Sequence, residues 1–130
     1  MGYNNAYNAY KETNVKTASQ GRLIVLLYEE AVKQLTLASS LFDTAAQLPV
    51  KNIEKFGKAV LKTQEIITEL QVSLDMEKGG DIARNLMSLY LYFNEELVSA
   101  NINHDRAKIE FILKMLNNLV DSWRQIANSV

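Results

Sequence analysis

The chain has 130 residues, with no Cys, one Pro, five Gly and 48% hydrophobic residues, which suits a single folded domain and excludes disorder along the whole chain. Its formal net charge is −1, from 14 Lys and Arg against 15 Asp and Glu, so no basic field is available to bind a nucleic acid backbone. The absence of Cys also excludes thiol catalysis and thiolate metal sites.

Apolar runs in the sequence are short. The longest, from Leu23 to Tyr28, falls far below the ~20 residues that span a bilayer. The polar N-terminal residues also lack the apolar region of a signal peptide. We therefore expect a cytoplasmic protein without membrane insertion, and the lack of Cys fits a reducing compartment.

The first two helices are predicted from capping and turn residues. The spacing of Thr17-Ala18-Ser19-Gln20 matches a capping box, in which the Thr and Gln side chains each satisfy a free backbone N–H. Helix 1 should therefore begin at Thr17 and run to about Ala46. Pro49 suits the first turn of helix 2 because its φ is already helical, and this helix should end near Met76.

The third and fourth helices follow two further breaks. At Gly79-Gly80-Asp81, Gly79 can take the left-handed position that ends a helix, and Asp81 can cap the next helix. Helix 3 should run to about Ala100. Asp105 is then expected to cap helix 4, which continues almost to the end of the sequence.

Each helix has apolar residues at the 3.6-residue period of an amphipathic helix. Short connections favour antiparallel neighbours, so the prediction is an all-α fold, an antiparallel up-and-down four-helix bundle. Trp123, Leu116 and Leu86 should be buried together in it. The predicted core stripes are Ile24, Leu27, Ala31, Leu35, Ala38 and Phe42 in helix 1; Ile53, Phe56, Val60, Ile67, Leu70 and Leu74 in helix 2; Ile82, Leu86, Leu89, Tyr90, Phe93 and Leu97 in helix 3; and Ile109, Ile112, Leu113, Leu116, Leu119, Val120, Trp123, Ile126, Ala127 and Val130 in helix 4.

Every helix also carries apolar residues away from its core stripe. Singly they are ordinary exposed side chains or wider core stripes, but together they predict grooves that receive an amphipathic partner helix. Flexible Met side chains would help such grooves to fit more than one shape. The residues are Leu26 and Leu37, Leu61 and Val72, Met87, Leu91 and Val98, and Phe111 and Met115.

The first 16 residues are predicted to be a separate cap segment, followed by the bundle domain at 17–130. Tyr3, Tyr7 and Tyr10 recur at helical spacing in an Asn-rich stretch, so their rings could share one face. The segment is either a structural cover for the bundle or an apolar clip that a partner displaces. We favour the clip.

No catalytic or metal-binding constellation can be assembled from the sequence. His104 is the single His, and because it precedes the cap residue Asp105 it is expected to be solvated in a loop. No metal cluster can be built around it. The carboxylate pairs Glu29-Glu30 and Glu95-Glu96 consist of adjacent helical residues, which point away from each other and are expected to lie on solvated faces. The sequence therefore predicts neither an enzyme nor a cofactor or metal site.

Several segments resemble, in order, the flagellar export chaperones of the FliS family, and the resemblance covers nearly the whole chain. The opening matches at Tyr10, at Val15-Lys16-Thr17-Ala18-Ser19 and from Leu23 to Ala31. The later matches are Ile66-Ile67-Thr68-Glu69-Leu70, Ser73-Leu74-Asp75, Gly79-Gly80-Asp81-Ile82-Ala83, Asn85-Leu86, Leu89-Tyr90-Leu91-Tyr92, Leu97, Ala100-Asn101, Asp105 and Trp123.

The resemblance implies a cytosolic chaperone, without ATPase activity, that holds the disordered C-terminal segment of flagellin and delivers it to the cytoplasmic domain of the flagellar export gate. A co-chaperone or regulator is a further possible partner. In this family the N-terminal segment is a movable cap over part of the client surface. The expected client-binding residues are Tyr7, Tyr10, Leu61, Val72, Met87, Leu91, Phe111 and Met115. The alternative is a helical adaptor or regulatory module that self-associates or sequesters a regulator.

Overall fold

The computed structural model describes residues 17–129, with side chains described for residues 21–125. This part of the chain contains helices and no strand. The helices are α1 (Thr17–Ser40), α2 (Ile53–Ser73), α3 (Gly80–Asn103) and α4 (Arg106–Ser129), and a 3-10 turn, Val50–Asn52, precedes α2.

The helices pack as an antiparallel up-and-down four-helix bundle, which confirms the predicted fold class. Helix α1 packs against both α2 and α4, α3 packs against α2, and the α3–α4 interface is the least extensive of the four. Helices α1 and α4 are also joined by polar contacts: Arg124 Nη2 donates to Glu29 Oε2 at 2.6 Å, and Ser39 Oγ donates to Glu110 Oε2 at 3.2 Å. Glu29 is thus an ion-pair partner rather than part of a solvated face.

Most of the predicted stripe residues with described side chains form one core or pack against it. Leu116 is fully buried, and Leu86 and Trp123 are half-buried against the same cluster. Two core predictions are wrong, since Ile53 and Ile82 are 40% and 72% exposed. Both residues lie in the first turn of a helix, where a side chain can extend past the end of the neighbouring helix.

Helix α1 ends at Ser40 rather than near Ala46, because the Asp43 side chain organises a turn that competes with the helix. Its carboxylate accepts hydrogen bonds from the backbone N–H groups of Ala45, at 2.9 Å, and Gln47, at 3.0 Å. Short polar side chains commonly redirect the backbone in this way. Ala46 itself has a positive φ of 58°, which a right-handed helix does not allow.

Pro49 lies one position before the 3-10 turn, with an extended ψ of 145°, so the prediction that it forms the first turn of helix 2 is wrong. The α-helical part begins only at Ile53. Asn52 links the turn to the preceding loop, because its side chain donates a 2.8 Å hydrogen bond to the carbonyl of Leu41.

The turn between α2 and α3 also differs from the prediction. Helix α2 ends at Ser73 rather than near Met76, because the Asp75 carboxylate accepts hydrogen bonds from two following backbone N–H groups. Gly79 is right-handed and occupies the N-cap position, while Gly80 has the positive φ of 56°. Asp81 therefore lies in the first turn of α3 and does not cap it. A Cβ at Gly79 would overlap the side chain of Ala83.

The α3–α4 corner confirms the predicted cap of helix 4. Asp105 Oδ1 accepts a hydrogen bond from the backbone N–H of Lys108 at 3.2 Å. Helix α3 continues to Asn103, beyond the predicted end at Ala100, and His104 closes it in a left-handed conformation. The His104 ring packs edge-on against Phe56, with the ring centroids 5.9 Å apart, so this His is half-buried rather than solvated.

A pair of tyrosine hydroxyls lies inside the apolar core. Tyr28 on α1 and Tyr90 on α3 are hydrogen-bonded to each other and almost fully buried. The Trp123 ring stands 6.3 Å from the Tyr28 ring. Burial raises the pKa of both hydroxyls above the ordinary value, so both remain neutral near pH 7. The pair links α1 to α3 across the bundle.

The effects of removing the two hydroxyls of this pair should not be additive. Tyr28→Phe or Tyr90→Phe should each lower the free energy of unfolding by about 1 to 3 kcal/mol, because the remaining buried hydroxyl loses its partner. The double variant should lose less than the sum of the two single variants. Urea unfolding of the four proteins measures this coupling, and additive losses would show that the hydroxyls stabilise the fold independently.

The same pair predicts a loss of stability at alkaline pH. The folded-state pKa values of the two hydroxyls lie above the unfolded value of about 10. The contribution of the pair to the free energy of unfolding is therefore fully present below about pH 10 and is lost as pH rises further. The wild type should therefore lose stability more steeply between about pH 10 and 12 than the Tyr28→Phe/Tyr90→Phe variant. Parallel curves over that range would contradict this assignment.

Candidate partner-binding surface

The predicted site residues on α2, α3 and α4 fall into two groups by exposure. Leu61, Val72, Leu91 and Phe111 are 55%, 58%, 51% and 50% exposed, so their side chains are not required to complete the core. Met87 and Met115 are half-buried, and Met115 packs against the core cluster. The two Met side chains are therefore less accessible than the four exposed side chains.

Two helices provide the first candidate surface, which we name the α2–α3 groove. Leu61 and Val72 lie on the outward face of α2, and Met87, Leu91 and Val98 lie on the face of α3 that adjoins α2. Contacts between the helices set their register, because Asn94 on α3 is hydrogen-bonded to Thr68 and Gln71 on α2. The exposed apolar side chains therefore flank one interface instead of being scattered over the bundle.

The polar network at the base of the α2–α3 groove is incompletely hydrogen-bonded. Asn94 Nδ2 donates to Thr68 Oγ1 at 3.5 Å and to Gln71 Oε1 at 3.4 Å, both long distances. Gln71 Nε2 lies 3.7 Å from the sulfur of Met87. Asn94 Oδ1 is buried and has no hydrogen-bond donor in the part of the chain that the structure describes. This interface is polar and loosely bonded at its centre.

The second candidate surface is an open cleft between α3 and α4, with a volume of about 270 Å³. We name it the α3–α4 cleft. Phe111 and Ile112 supply apolar walls, and a polar cluster lies beside them. The lining residues are Tyr92, Glu96, Ala107, Lys108, Phe111 and Ile112.

An ion pair bridges the α3–α4 cleft. Lys108 Nζ donates to Glu96 Oε2 at 2.9 Å and to Ser99 Oγ at 3.0 Å. The hydrogen bond from Lys108 holds the pKa of the Glu96 carboxyl below its ordinary value, and the same bond raises the pKa of Lys108. Desolvation, together with the negative charge of Glu96, raises the pKa of Tyr92. The cleft therefore has a charge-neutral polar wall at pH 7.

Sequence reasoning missed this polar wall, because Glu96 was interpreted as part of a solvated face. A pattern on α3 alone does not reveal that Lys108, on the next helix, lies within reach. It also missed exposed apolar residues at helix ends, such as Ile102, which is 74% exposed. Leu26 and Leu37 on α1 are exposed as expected, but they lie outside both the α2–α3 groove and the α3–α4 cleft.

Some predicted features lie outside the described residues. Tyr7 and Tyr10 fall within residues 1–16, so the cap segment has no structural account here. Among residues that the structure describes, no cluster of three His, Cys, Asp or Glu side chains could hold a metal ion. No helix in that same part is long and apolar enough to cross a membrane.

The fold is thus an antiparallel helical bundle with apolar surface along two helix interfaces, and comparison with known proteins identifies its family. The family model for FliS, described as flagellar protein FliS, matches residues 3–130. The chain is 37% identical over 117 residues to the flagellar secretion chaperone FliS of Salmonella typhimurium. The aligned region covers 89% of this chain and 82% of that protein.

Two further relatives have the same name and cover more of the chain. The FliS of Campylobacter jejuni is 31% identical over 131 residues, covering 99% of this chain and 96% of that protein. The FliS of Bacillus subtilis is 27% identical over 129 residues, covering 99% and 91%. The chain therefore belongs to the FliS family of flagellar secretion chaperones, which confirms the resemblance found in the sequence.

The ion pair of the α3–α4 cleft can be tested by titration. Lys108→Met should raise the pKa of Glu96, because the carboxylate loses the hydrogen bond and positive charge that favour ionisation. The pKa of Tyr92 should also rise, because the phenolate loses a nearby cation. NMR titration of both side chains measures these shifts. Lys114→Met, at an exposed position on the same helix, is the control and should change neither pKa. If the pKa of Glu96 is unchanged in Lys108→Met, the ion pair between Glu96 and Lys108 is excluded.

Proposed function

We propose that this protein binds the disordered C-terminal segment of flagellin in the cytoplasm, prevents its premature polymerisation and delivers it to the flagellar type III export apparatus. One observation carries the proposal: a chain of the FliS family exposes Leu61, Val72, Leu91 and Phe111 along two helix interfaces. Exposed apolar side chains aligned along helix grooves are the feature by which amphipathic helices are recognised.

The geometry of the surface suits a partner that folds on binding. A disordered segment can form helices that follow both the α2–α3 groove and the α3–α4 cleft, and so cover more surface than a rigid protein of the same length. Ordering the client offsets part of the interaction energy. The resulting moderate affinity permits transfer, while masking the segment blocks its assembly with other flagellin molecules.

The remaining steps follow from this role. Release is proposed to occur at the cytoplasmic domain of the export gate, with a co-chaperone or regulator as a further partner. Binding and release of the client require no catalytic step, cofactor or metal ion. The N-terminal Tyr-rich segment, 1–16, is proposed to act as a cap on the bundle domain, 17–130.

A second function uses the same surface differently. If the exposed apolar residues mediate self-association, the protein would be a helical adaptor or a regulatory module that sequesters a regulator. Sedimentation of the purified protein distinguishes the two functions, because a stable homodimer that buries these faces leaves no groove for a client. Binding of flagellin, but not of flagellin lacking its C-terminal segment, in a pull-down after co-expression would support the chaperone function.

Introducing a charge on the exposed apolar residues should weaken client binding without unfolding the bundle. Leu61→Asp, Leu91→Asp and Phe111→Asp should each weaken binding of a flagellin C-terminal peptide, by ~2 kcal/mol or more where the residue is a binding hot spot. Each side chain is at least half exposed, so the melting temperature should change little. Titration calorimetry and thermal unfolding measure the two effects.

Leu26→Asp is the matched control for this series. Leu26 is 60% exposed on α1, so the same change of charge is made on an equally accessible apolar residue outside the proposed surface. Binding by this variant should remain at the wild-type level. Equal losses of binding in all the variants, or large losses of thermal stability, would exclude the proposed surface.

Removing the Tyr-rich segment should reveal whether it competes with the client. If the segment occludes the surface, a truncation starting at Val15 should bind the flagellin peptide more tightly, because a competent surface no longer has to be freed. If Tyr10 instead contacts the bound client, Tyr10→Ala should weaken binding. We expect occlusion to dominate in the free protein.

Amide exchange of residues 3 to 15 provides the second measurement. Displacement by the peptide should make these amides exchange faster, unless contacts with the client protect them. The Tyr10→Ala variant in the presence of peptide separates these two cases. Unchanged exchange, together with unchanged affinity of the truncated protein, would show that the segment takes no part in client binding.

A further inference from the structure

A row of lysine side chains runs along α2 and the 3-10 turn before it. Successive lysines are four, three and four residues apart, a spacing that keeps side chains on one line of a helix. All four side chains are exposed. The lysines are Lys51, Lys55, Lys58 and Lys62. The first half of α2 therefore presents a row of positive charges to solvent.

The row of lysines lies away from α3. Thr68 and Gln71, which α3 contacts through Asn94, lie about 120° and about 180° around α2 from Lys62. Helix α2 packs against α1 on its other side. The row therefore follows the exposed edge of the α1–α2 interface.

One apolar residue of α1 lies beside this row. Leu37 is 46% exposed, and it points away from α4, because Ser39, which contacts α4, lies about 160° around α1 from it. The Asn52 side chain is hydrogen-bonded to the Leu41 carbonyl, so one turn before Leu41 on α1 stands opposite one turn after Asn52 on the antiparallel α2. Leu37 is thus at the level of Lys55. We name Leu37 and the four lysines the basic face.

The net charge of −1 conceals a segregation of charge along this part of the chain. Residues 50–62 contain four Lys and one acidic residue, Glu54, whereas residues 63–77 contain four acidic residues and no basic residue. A helix dipole favours the opposite order, with acidic residues near the N-terminus and basic residues near the C-terminus. Lysines three or four residues apart also repel each other. The stability of α2 therefore does not account for the row.

Acidic side chains near the basic face are few, and most have other contacts. Glu54 forms an ion pair with Lys58, and Glu65 lies three residues beyond the last lysine of the row. On the neighbouring elements, Glu30 accepts a hydrogen bond from a glutamine side chain of α1, and Asp43 accepts two from backbone N–H groups. The acidic residues therefore lie mainly at the borders of the face.

The residues without described side chains do not change this balance. Residues 1–20 and 126–130 contain two lysines and a single acidic residue, Glu12, so they can add at most one negative side chain to the face. The excess of positive charge is largest at Lys51 and Lys55, which belong to none of the ion pairs formed among the described residues.

We infer that the basic face is a second binding surface, which takes an acidic segment of a protein partner, with Asp or Glu opposite the lysines and an apolar side chain over Leu37. Opposite charges steer such a partner to the face and select it, while the apolar contact adds affinity. The inference goes beyond the proposed function, because the face lies outside both the α2–α3 groove and the α3–α4 cleft. The partner can therefore bind while the client surface is occupied.

Other occupants fit the basic face less well. A second copy of this chain offers Glu65 and Glu69 on its own α2, and Glu69 already has an interaction within the chain, so two acidic side chains would face four lysines. A helix that lies on a membrane needs a broad apolar face below its basic residues, whereas this face has Leu37. Nucleic acid binds through its phosphates and gains nothing from an exposed leucine between lysines.

The test is a charge-reversal series in the full chain. The probe is a fluorescently labelled helical peptide in which one Leu is flanked by Glu residues, and a second peptide has Lys in place of each Glu. The wild type should bind the Glu peptide and not the Lys peptide. Lys51→Glu/Lys55→Glu should lower the affinity for the Glu peptide roughly tenfold at low salt, and Lys51→Gln/Lys55→Gln about threefold. These losses should nearly disappear at ~1 M salt, where the Debye length is about 3 Å.

Lys78→Glu/Lys114→Glu is the matched control, because it makes the same change in charge at exposed residues outside the basic face. An equal loss of affinity in the control would attribute the effect to net charge and overturn the inference. Leu37→Ala should lower the affinity about threefold, and Leu26→Ala, on the same helix, should not. Equal binding of a Glu peptide whose Leu is replaced by Gln would overturn the apolar contact.

Three further measurements identify the other occupants. Sedimentation that shows a dimer in the wild type and a monomer in Lys51→Glu/Lys55→Glu would assign the face to a second copy. Tighter binding of vesicles containing phosphatidylserine, or of a DNA oligonucleotide, than of the Glu peptide would assign it to a lipid surface or to nucleic acid. Binding of the Glu peptide only after truncation to Val15 would show that the chain's own N-terminal segment covers it. Each of these results overturns the inference.

Failure of the proposed function gives a different result. Lys55 lies about 120° around α2 from Leu61, so Lys51→Glu/Lys55→Glu should leave the affinity for the flagellin C-terminal peptide unchanged, and the Glu peptide should bind together with it. An equal loss of both affinities would make the face part of the client surface and overturn the inference. If the flagellin peptide does not bind the wild type at all, the proposed client is wrong, and the Glu and Lys peptides still decide the inference.

Discussion

Helix α1 is the element on which the arrangement of the other helices depends, because its two interfaces, with α4 and with α2, are the most extensive in the bundle. Its inward residues Leu27, Ala31, Leu35 and Ala38 are fully buried, and the small Ala side chains allow the neighbouring helices to approach closely. Helices α2 and α4 are therefore held against α1, while α3 contacts α2 and, less extensively, α4. The least enclosed helix is thus the one that borders both the α2–α3 groove and the α3–α4 cleft.

The sequence predicts the bundle well because each helix has a long apolar period, and a stripe such as Ile109, Ile112 and Leu116 fits no other regular structure. Helix ends are harder to predict. Asp43 and Asp75 end their helices by accepting backbone hydrogen bonds, and a single sequence does not show whether an Asp will act in this way. The errors at Ile53 and Ile82 have a related cause, since the helical period continues into first turns that have no neighbour to pack against.

Only part of the candidate surface is predictable from the sequence. The exposure of Leu61 and Leu91 follows from their helical phase relative to the core, which is a property of one helix. The pairing of Glu96 with Lys108 and the partial hydrogen bonding of Asn94 depend on register between helices, and a sequence pattern contains no information on register. Whether a Glu is paired or free therefore becomes known only once neighbouring helices are placed.

The turn at Gly79 and Gly80 links local backbone stereochemistry to recognition at a distance. Gly80 has a positive φ, and a Cβ on Gly79 would collide with Ala83, so this connection has almost no freedom to change its length or path. One inserted residue that extended the start of α3 would rotate its face by about 100° and shift it by ~1.5 Å. The hydrogen bonds from Asn94 to Thr68 and Gln71 would then be lost, and the apolar residues of α3 would shift relative to those of α2. The two glycines therefore fix the position of the exposed side chains of α3 relative to those of α2, although neither glycine needs to touch the partner.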